Sequence, residues 1–498
     1  MMGREVELKL EVEGRAADRL RHHPLLADRP GHEQQQLSVY FDTPRGKLRK
    51  AGYTLRVRRS GDGFVQTVKA ANQGAVGLFD RAEWEAPVAS LEPSAAAASG
   101  TPLAQLLSAD SFSRLVPVVR SEVRRTVWPV ASDGAEIELT LDQGIVRGGL
   151  AEQSVEELEL ELVGGDPAVL IALARQLGDD VPLRLVVLRK AERGFALADG
   201  SLERISKAPP VDVGAGMTAA DGFTTIALSC LKHFRLNEPL LAQKRLAGVL
   251  HQSRVAMRRL RSALSLFRPI IRDDPDFARL REELRWFTAQ LGEARNLDVY
   301  LGRLDAAAPE RARLLRAREE SYDRIVDVLA SHRFRALMLE LVGWLMSGAW
   351  RAHPRAGRPL PGFAAKRIDR LWHDIALRGT LLARLDEEPR HRLRIDIKKI
   401  RYALEFTLPL HRAAGARQKD FVTALAVLQE ELGHLNDIAT AREINAELGA
   451  EGPAAEDQPL PLFFDREERA YLAEAETAFD KLIAIGPYWR TASEARSA

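Results

Sequence analysis

The chain has one cysteine, Cys230, in 498 residues. A single thiol excludes an internal disulfide and a thiolate metal site, so a metal here must be held by oxygen or imidazole, and a reducing cytoplasm fits best. Long apolar runs are missing as well. The most apolar stretch, residues 336–350, is interrupted by Glu340 and falls short of the ~20 residues that a span requires. The chain is charged from Arg4 onward, so we expect neither a membrane anchor nor an export signal. Aromatic residues make up only 6%. Within the two most basic stripes only Tyr402 occurs, which leaves nucleic-acid bases without a stacking platform there.

What is present divides the chain in two. With 46% hydrophobic and 29% charged residues it is composed as an ordinary soluble protein, and its length suits two domains. The net charge of +2 conceals an asymmetry. Residues 1–222 carry 27 bases against 32 acids, 223–420 carry 39 against 23, and 421–498 turn acidic with 6 against 15. So strong an excess of base in one stretch makes a polyanion the expected partner.

Over the first ~200 residues short runs alternate polar and apolar side chains between turn signals, at 5–13, 37–43, 53–59, 64–70, 81–88, 122–130, 136–144 and 156–163. A helix is expected within 164–178, where Asp166 and Pro167 form a start signal. Residues 199–222 lose periodicity and gather Pro and Gly, as a linker does. From Phe223 onward the pattern is of long 3.6-period helices, with loops around 351–362 and 450–462 and a last helix near 465–485. The expected fold is α+β in two domains. Residues 1–200 form an antiparallel β-barrel or tunnel with flanking helices, 201–222 a linker, and 223–490 an all-α domain of two pseudo-symmetric bundles.

The helical half repeats itself. HQSRVAMRRLRSALSLF (251–267) aligns with HRLRIDIKKIRYALEF (391–406), and LGEARNLDV (291–299) with LGHLNDIAT (432–440). On each first helix a stripe is cationic: His251, Arg254, Arg258 and Arg261 in one copy, His391, Arg394, Lys398 and Arg401 in the other. A solvated face is the plain explanation of a single stripe, but a solvated face has no need to keep histidine at the same offset in two copies. Guanidinium forks and ammonium groups in a row suit a chain of phosphates. Metal chelation by the histidines is disfavoured, because neither helix offers a second histidine or carboxylate four residues on.

In the first half each charged strand taken alone reads as a half-solvated sheet face. Taken together, the strands mix signs: acids and a base in EVELKLEVE, bases at Arg56, Arg58 and Lys69, acids again in EELELELV. If they close into a barrel with apolar faces outward, the charges line its interior. Lys and Arg there can hold phosphate oxygens, and carboxylates can hold Mg²⁺ or Mn²⁺.

HQSRVAMRRLRS, LGEARNLDV, HRLRIDIKKIRYALE and LQEELGHLND resemble the paired signatures of the CHAD domain, the conserved histidine α-helical domain, over about 220–490. The resemblance implies an inorganic-polyphosphate surface formed by His251, Arg254, Arg258, Arg259, Arg261, His391, Arg394, Lys398, Lys399 and Arg401. The ExExK run Glu5-Val6-Glu7-Leu8-Lys9, followed in order by YFDTPRGKLRKAGYTLRVRR, QTVKA, RAEWE, EIELTLDQG, EELELELVGGDP and KAERG, resembles the CYTH family, the triphosphate tunnel metalloenzymes, over about 3–200. This implies metal-side carboxylates at Glu5, Glu7, Glu83, Glu85, Asp142, Glu157, Glu159 and Glu161. It implies triphosphate ligands at Lys9, Arg56, Arg58, Lys69, Arg81, Arg124, Lys190 and Arg193, with Lys69, Glu5 and Glu7 catalytic and Lys69 helping to activate water. One position departs from the family pattern: a serine commonly precedes the late lysine, and Arg189 stands there instead.

The resulting expectation is a cytoplasmic, metal-dependent inorganic triphosphatase tethered to inorganic polyphosphate, and so to polyphosphate granules, by its helical half. Two alternatives remain at this stage: a polyphosphate-binding protein that does not cut, and a tunnel acting on thiamine triphosphate or nucleotides.

Overall fold

The computed structural model describes residues 2–490 except Arg15, Asp28, Asp62, 71–75, Glu310 and 451–463. The expected loop at 450–462 therefore lies outside the described residues but for its first position. Each of the eight alternating runs is a strand: β1 (Met2–Val12), β2 (His32–Asp42), β3 (Tyr53–Ser60), β4 (Gly63–Ala70), β5 (Leu78–Val88), β6 (Val116–Ser132), β7 (Ala135–Gly148) and β8 (Ala151–Gly164). A ninth short strand, β9 (Leu183–Leu185), carries no alternation long enough to be read from the sequence.

The strands pair antiparallel in the order β5-β4-β3-β2-β6-β7-β8-β1, and β5 also pairs with β1, placing Glu7 opposite Phe79 and Leu8 opposite Leu78. Eight strands thereby close a ring, and β9 continues the same edge of β1 beyond β5, with Leu10 opposite Leu185. The barrel is inside out relative to a packed one. Leu8, Leu10, Leu139, Leu141, Leu158 and Leu160 point outward into the main core, and Leu55, Val57 and Val68 point outward into a second cluster. Each such side chain gains roughly 1.5–3 kcal/mol by burial, and alternation then forces its polar neighbours into the lumen.

Helices cover the outside. In the first half these are α1 (Ala17–Arg21), α2 (Lys47–Lys50), α3 (Ala95–Ala98), α4 (Leu103–Leu106), α5 (Ala109–Ser113), α6 (Ala168–Asp180) and α7 (Lys190–Ala198). The helical half holds α8 (Ala219–Gln243), α9 (Ala247–Leu266), α10 (Arg268–Ile271), α11 (Phe277–Arg303), α12 (Arg311–Ala330), α13 (His332–Ser347), α14 (Leu360–Gly379), α15 (Glu387–Thr407), α16 (Gly415–Ala450) and α17 (Phe464–Ile485). The repeat is visible in the packing. α8 lies on α9 as α14 lies on α15, α11 lies on α12 as α16 lies on α17, and α9 and α15 meet at the centre. Among the described residues no helix is long and apolar enough to cross a membrane.

The expected linker is not loose tether throughout. Thr218 caps α8, so the last residues of 201–222 are already helical, and Val211 and Val213 are buried in the main core. That core runs without a break from the outer face of β1, β7 and β8 through α6 into α8 and α13.

Candidate functional site

Alternation on β1 decides the wall of the lumen: Leu8 and Leu10 are taken by the core, so Glu7 and Lys9 face inward, 1% and 7% exposed. The register then stacks charges across three strands. Lys9 lies opposite Glu159, while Glu157 stands opposite Glu11 on one side and Asp142 on the other. Lys9 Nζ contacts Glu7 at 2.7 Å and Glu159 at 2.5 Å. α7 closes this wall, with Lys190 and Arg193 three residues apart on one helical face. Lys190 Nζ reaches Glu157 at 2.6 Å and both Asp142 and Glu159 at 2.9 Å. The helix lies this close because two glycines meet: a Cβ on Gly148 would fall 1.8 Å from the Gly194 carbonyl oxygen, and one on Gly194 would strike Val119.

The facing wall comes from β3, β4 and β5. Lys69 Nζ lies 3.0 Å from Glu83, Arg58 is 3.7 Å from Glu85, and Thr67 donates to Glu85 at 2.9 Å while accepting from Arg56 at 3.3 Å. Between the walls is a cavity of about 170 Å³. Its described lining contains seven bases (Lys9, Arg56, Arg58, Lys69, Arg125, Arg189, Lys190) and seven acids (Glu7, Glu83, Glu85, Asp142, Glu157, Glu159, Glu161).

Two of the expected lumen residues, Glu5 and Arg81, have side chains outside the described residues. Arg193 stands behind the lining, where it binds Glu11 and lies 3.5 Å from Glu157. Arg124 is a correction. It is exposed and donates to Gln143 on the outer surface, whereas Arg125 enters the lumen and binds Asp142 and Glu159. The reason is that Arg125 shares its face with Val123, a lumen-lining valine, so the apolar pattern of EVRRTVWPV marks the wrong face as inward. Arg189 also lines the cavity; its Nε and Nη2 each donate to Glu192 at 3.0 Å.

The electrostatics follow from this interleaving. Burial opposes the charge on Lys190, but Asp142, Glu157 and Glu159 raise its pKa well above the usual value. Burial likewise opposes ionisation of Asp142 and Glu159, and the cations Lys190, Arg125 and, for Glu159, Lys9 still hold both below the ordinary carboxylate range. Arg58 is the exception among the cations. Arg56 beside it, together with burial, pushes its pKa down to about 10. Burial opposes the charge on Arg56 itself, yet Tyr40, Glu83 and Glu85 hold its pKa above the usual value.

For a divalent cation the donors are suitable in kind: all are carboxylates, which suit Mg²⁺ or Mn²⁺. Glu138, Glu161 and Glu7 stand directly opposite one another across β7, β8 and β1, like charges that destabilise a sheet unless a cation lies among them. Glu157 Oε1 is also buried without a hydrogen-bond partner. Among the described residues no three such groups converge on one point, so the donors fit a cation in chemistry but are not closed around one. Glu138 lies on one of the charged strand faces but is not among the carboxylates that the resemblance implies for the metal; its place opposite Glu161 is set by register.

The second site lies between the repeats. A cavity of about 460 Å³ is lined by Arg254, Arg258 and Arg261 of α9 and by His391, Arg394, Lys398 and Lys399 of α15. Arg268, Arg281 and Arg285 join them unannounced, because α10 and α11 carry no repeat of the histidine motif. Asn436 of α16 was also missed. Its Oδ1 faces His391 Nδ1 at 2.7 Å and accepts from Arg394. His251 lies among Arg295, Arg258 and Arg254, and burial with these cations lowers its pKa to about 4. Arg401 lies over the Tyr402 ring at 4.6 Å, off the cavity lining. Arg259 is a further correction: fully buried, it pairs with Glu405 at 2.9 Å and stacks on Phe406. At 100° per residue it lies well outside the stripe of His251, Arg254, Arg258 and Arg261, so it joins the two repeats rather than facing the cavity.

A closed antiparallel barrel with a charged lumen, joined to a duplicated helical bundle, is the class of architecture these observations define. The CYTH domain family matches residues 3–195 and the CHAD domain family residues 225–446. The chain carries a CYTH domain followed by a CHAD domain. An inorganic triphosphatase of Haemophilus influenzae is 31% identical over 202 residues, which are 40% of this chain and 56% of that protein. The chain thus matches little more than half the length of that relative. Among solved structures, a CHAD domain from the plant Ricinus communis aligns at 29% identity with a TM-score of 0.46, covering 57% of this chain and 96% of that one. A Hippeastrum protein assigned as an adenylyl cyclase with a dominant triphosphatase activity aligns at 19% identity with a TM-score of 0.31, covering 40% and 96%.

Proposed function

We propose that the barrel hydrolyses inorganic triphosphate to pyrophosphate and phosphate with Mg²⁺ or Mn²⁺, and that the helical half holds inorganic polyphosphate. The observation that carries the reading is the charge balance of the described lumen lining, seven bases against seven acids. A balanced lumen that admits a polyanion must take up compensating cations with it, since an unpaired buried charge is costly. Triphosphate with divalent metal meets that requirement, and the carboxylates supply the metal side.

Glu7, Glu161 and Glu138, with Glu157 and Glu159, are the residues that would hold the metal. When bound, it would neutralise phosphate charge and polarise the bond to be cut. The remaining steps belong to side chains. Arg56 and Arg58, the latter with its charge opposed by its neighbour Arg56, bind phosphate oxygens from one wall, while Lys9, Arg125 and Lys190 exchange carboxylate partners for phosphate on the other. Lys69 Nζ, paired with Glu83 at 3.0 Å, orients the attacking water by donating to it, and the Glu83 carboxylate beside it receives the water's proton. Water oxygen bonds to the terminal phosphorus as the bridging P–O bond breaks, and pyrophosphate leaves. Polyphosphate bound between α9 and α15 would place the enzyme on polyphosphate granules.

The test is phosphate release from triphosphate by the full-length chain with either metal, against the Glu5→Ala, Glu7→Ala double variant. Release by the parent at least ~100-fold above the variant supports the reading; equal release leaves a binding protein that does not cut. Thiamine triphosphate, ATP and long polyphosphate in the same panel identify the preferred substrate.

A further inference from the structure

Two glutamates of β1 are not used by the lumen chemistry. Glu11 continues the inward face past Glu7 and Lys9, yet it binds Arg193 of α7 and lies 3.9 Å from Nη2 of Arg235 on α8, a residue of the helical half. Arg235 is 4% exposed, and Glu238 one turn on is fully buried. Arg235 donates twice to the Leu185 carbonyl of β9, from Nε at 3.2 Å and Nη2 at 2.7 Å, and pairs with Glu238. Glu238 also accepts from Arg184 at 2.8 Å, and Arg184 in turn pairs with Glu13. On the lumen side, Arg193 faces Glu157 at 3.5 Å, and Glu157 holds Lys190 at 2.6 Å. A second link runs alongside: Lys232 of α8 helps lower the pKa of Glu192, the carboxylate that grips Arg189 of the lumen lining.

Such an arrangement is more than two domains in contact. A buried arginine is costly unless it is paired, and the partners of Arg235 outside α8 are Glu11 of the lumen-forming strand β1 and the Leu185 carbonyl of β9, the strand that extends that edge of β1. α7 and its cap bring Arg189 and Lys190 to the lumen with Arg193 behind them, and α8 supports them through Glu11 and Glu192.

We propose that Arg235 is a positioning residue of the tunnel: through Glu11 and Arg193 it fixes Glu157 and Lys190, so the helical half is part of the catalytic unit rather than a tether alone. This rests on the tunnel's taking triphosphate. With Arg235 in place Lys190 meets phosphate in one geometry; without it the floor of the lumen loosens while the basic cleft, built on other helices, is untouched.

The experiment uses the full chain in three forms: parent, Arg235→Lys, and the double variant Arg235→Gln with Glu238→Gln, which removes both buried charges together so that neither is stranded. Thermal melting and polyphosphate binding establish that the helical half is folded. Triphosphate affinity by calorimetry and kcat by phosphate release are then measured. The expected result is polyphosphate binding within about 2-fold of the parent, with triphosphate affinity and kcat each lowered about 10-fold in the double variant and partly restored by Arg235→Lys. A folded double variant with unchanged affinity and kcat overturns the proposal. A parent that binds triphosphate without cutting it defeats only the triphosphatase reading, because the affinity loss still reports positioning; a parent that binds none defeats both. Should the double variant fail to fold, Glu11→Gln, which leaves α8 intact, must lower affinity or kcat by the same route, and no change there also overturns the proposal.

Discussion

Arg125 grips Asp142 through two parallel hydrogen bonds, Nε to Oδ1 and Nη2 to Oδ2, both 2.7 Å long, and its Nη2 also reaches Glu159 at 3.0 Å. This fork ties β6 to β7 and β8 from inside the lumen, while the neighbouring Arg124 lies outside it. Removing one member of a well-buried pair costs about 3–5 kcal/mol, so Arg125→Ala is expected to lower stability by that order and triphosphate turnover by at least ~100-fold. Arg124→Ala is expected to change both by less than about 2-fold. Chemical denaturation with phosphate-release kinetics checks the pair, and equal effects of the two variants contradict the assignment.

Metal removal provides the second expectation. Treatment with a chelator should abolish turnover of triphosphate, and Mg²⁺ or Mn²⁺ should restore it, because the described lumen lining carries as many acids as bases and so no surplus positive charge to offset the substrate. Glu161→Gln removes the middle carboxylate of the row Glu138, Glu161 and Glu7 and should raise the metal concentration for half-maximal rate by ~10-fold or more. A metal titration of the rate reads this directly.

The basic cleft should take up protons when it binds polyphosphate. In the free protein burial and the cations Arg295, Arg258 and Arg254 hold His251 at about 4, so it is neutral at pH 7. Phosphates beside it favour the charged imidazolium and raise that value. The complex therefore binds more protons than the free protein, and affinity should rise as pH falls from 7 toward 5. Calorimetry in buffers of different ionisation enthalpy measures the uptake; none, with affinity flat in pH, contradicts it.

His233 gives a stability test of opposite origin. It is buried on α8 against the Ser206 carbonyl, and burial with Arg259 nearby depresses its pKa to about 4. The unfolded chain, with a histidine near pKa ~6.5, binds the proton first. Stability from this group is thus complete above about pH 6.5 and lost as pH falls toward 4, and His233→Gln should flatten that part of the profile. Urea unfolding of both proteins between pH 7 and 4.5 decides it.

Arg259 and the stripe residues should separate cleanly. Arg259→Ala empties a fully buried site between the repeats and removes its pairing with the part-exposed Glu405, with an expected loss of about 2–4 kcal/mol in stability, mostly from the cavity. Replacing Arg254, Arg258, Arg394 and Lys398 together by Ala should leave the melt within a few degrees and abolish polyphosphate binding at physiological salt. Melting curves and binding of the two proteins, run side by side, test the division.

Much of this was legible before the fold was known, and the exceptions have physical causes. β1, β3 and β8 announce themselves by strict alternation, because one face must enter a core. The repeat 251–267 and 391–406 announces a pseudo-two-fold. β9 is too short to show a period, and Arg124, the residue that the resemblance implies, faces outward while Arg125 faces the lumen, beside a valine that mimics a core position. Glu138 and Asn436 depend on which residue lies across from them, which no local pattern records.

The sequence by itself determined which side chains share a face: Glu7 with Lys9, Arg56 with Arg58, Glu157 with Glu159, Arg254 with Arg258. That follows from the two-residue period of a strand and the 3.6-residue period of a helix. Only the tertiary structure decided which face became the interior and what each charge meets there. Closure of β5 onto β1 turned eight amphipathic strands into one balanced lumen, and the packing of α8 against β9 carried Glu11 and Glu13 from ordinary strand acids into a charged link between the two halves.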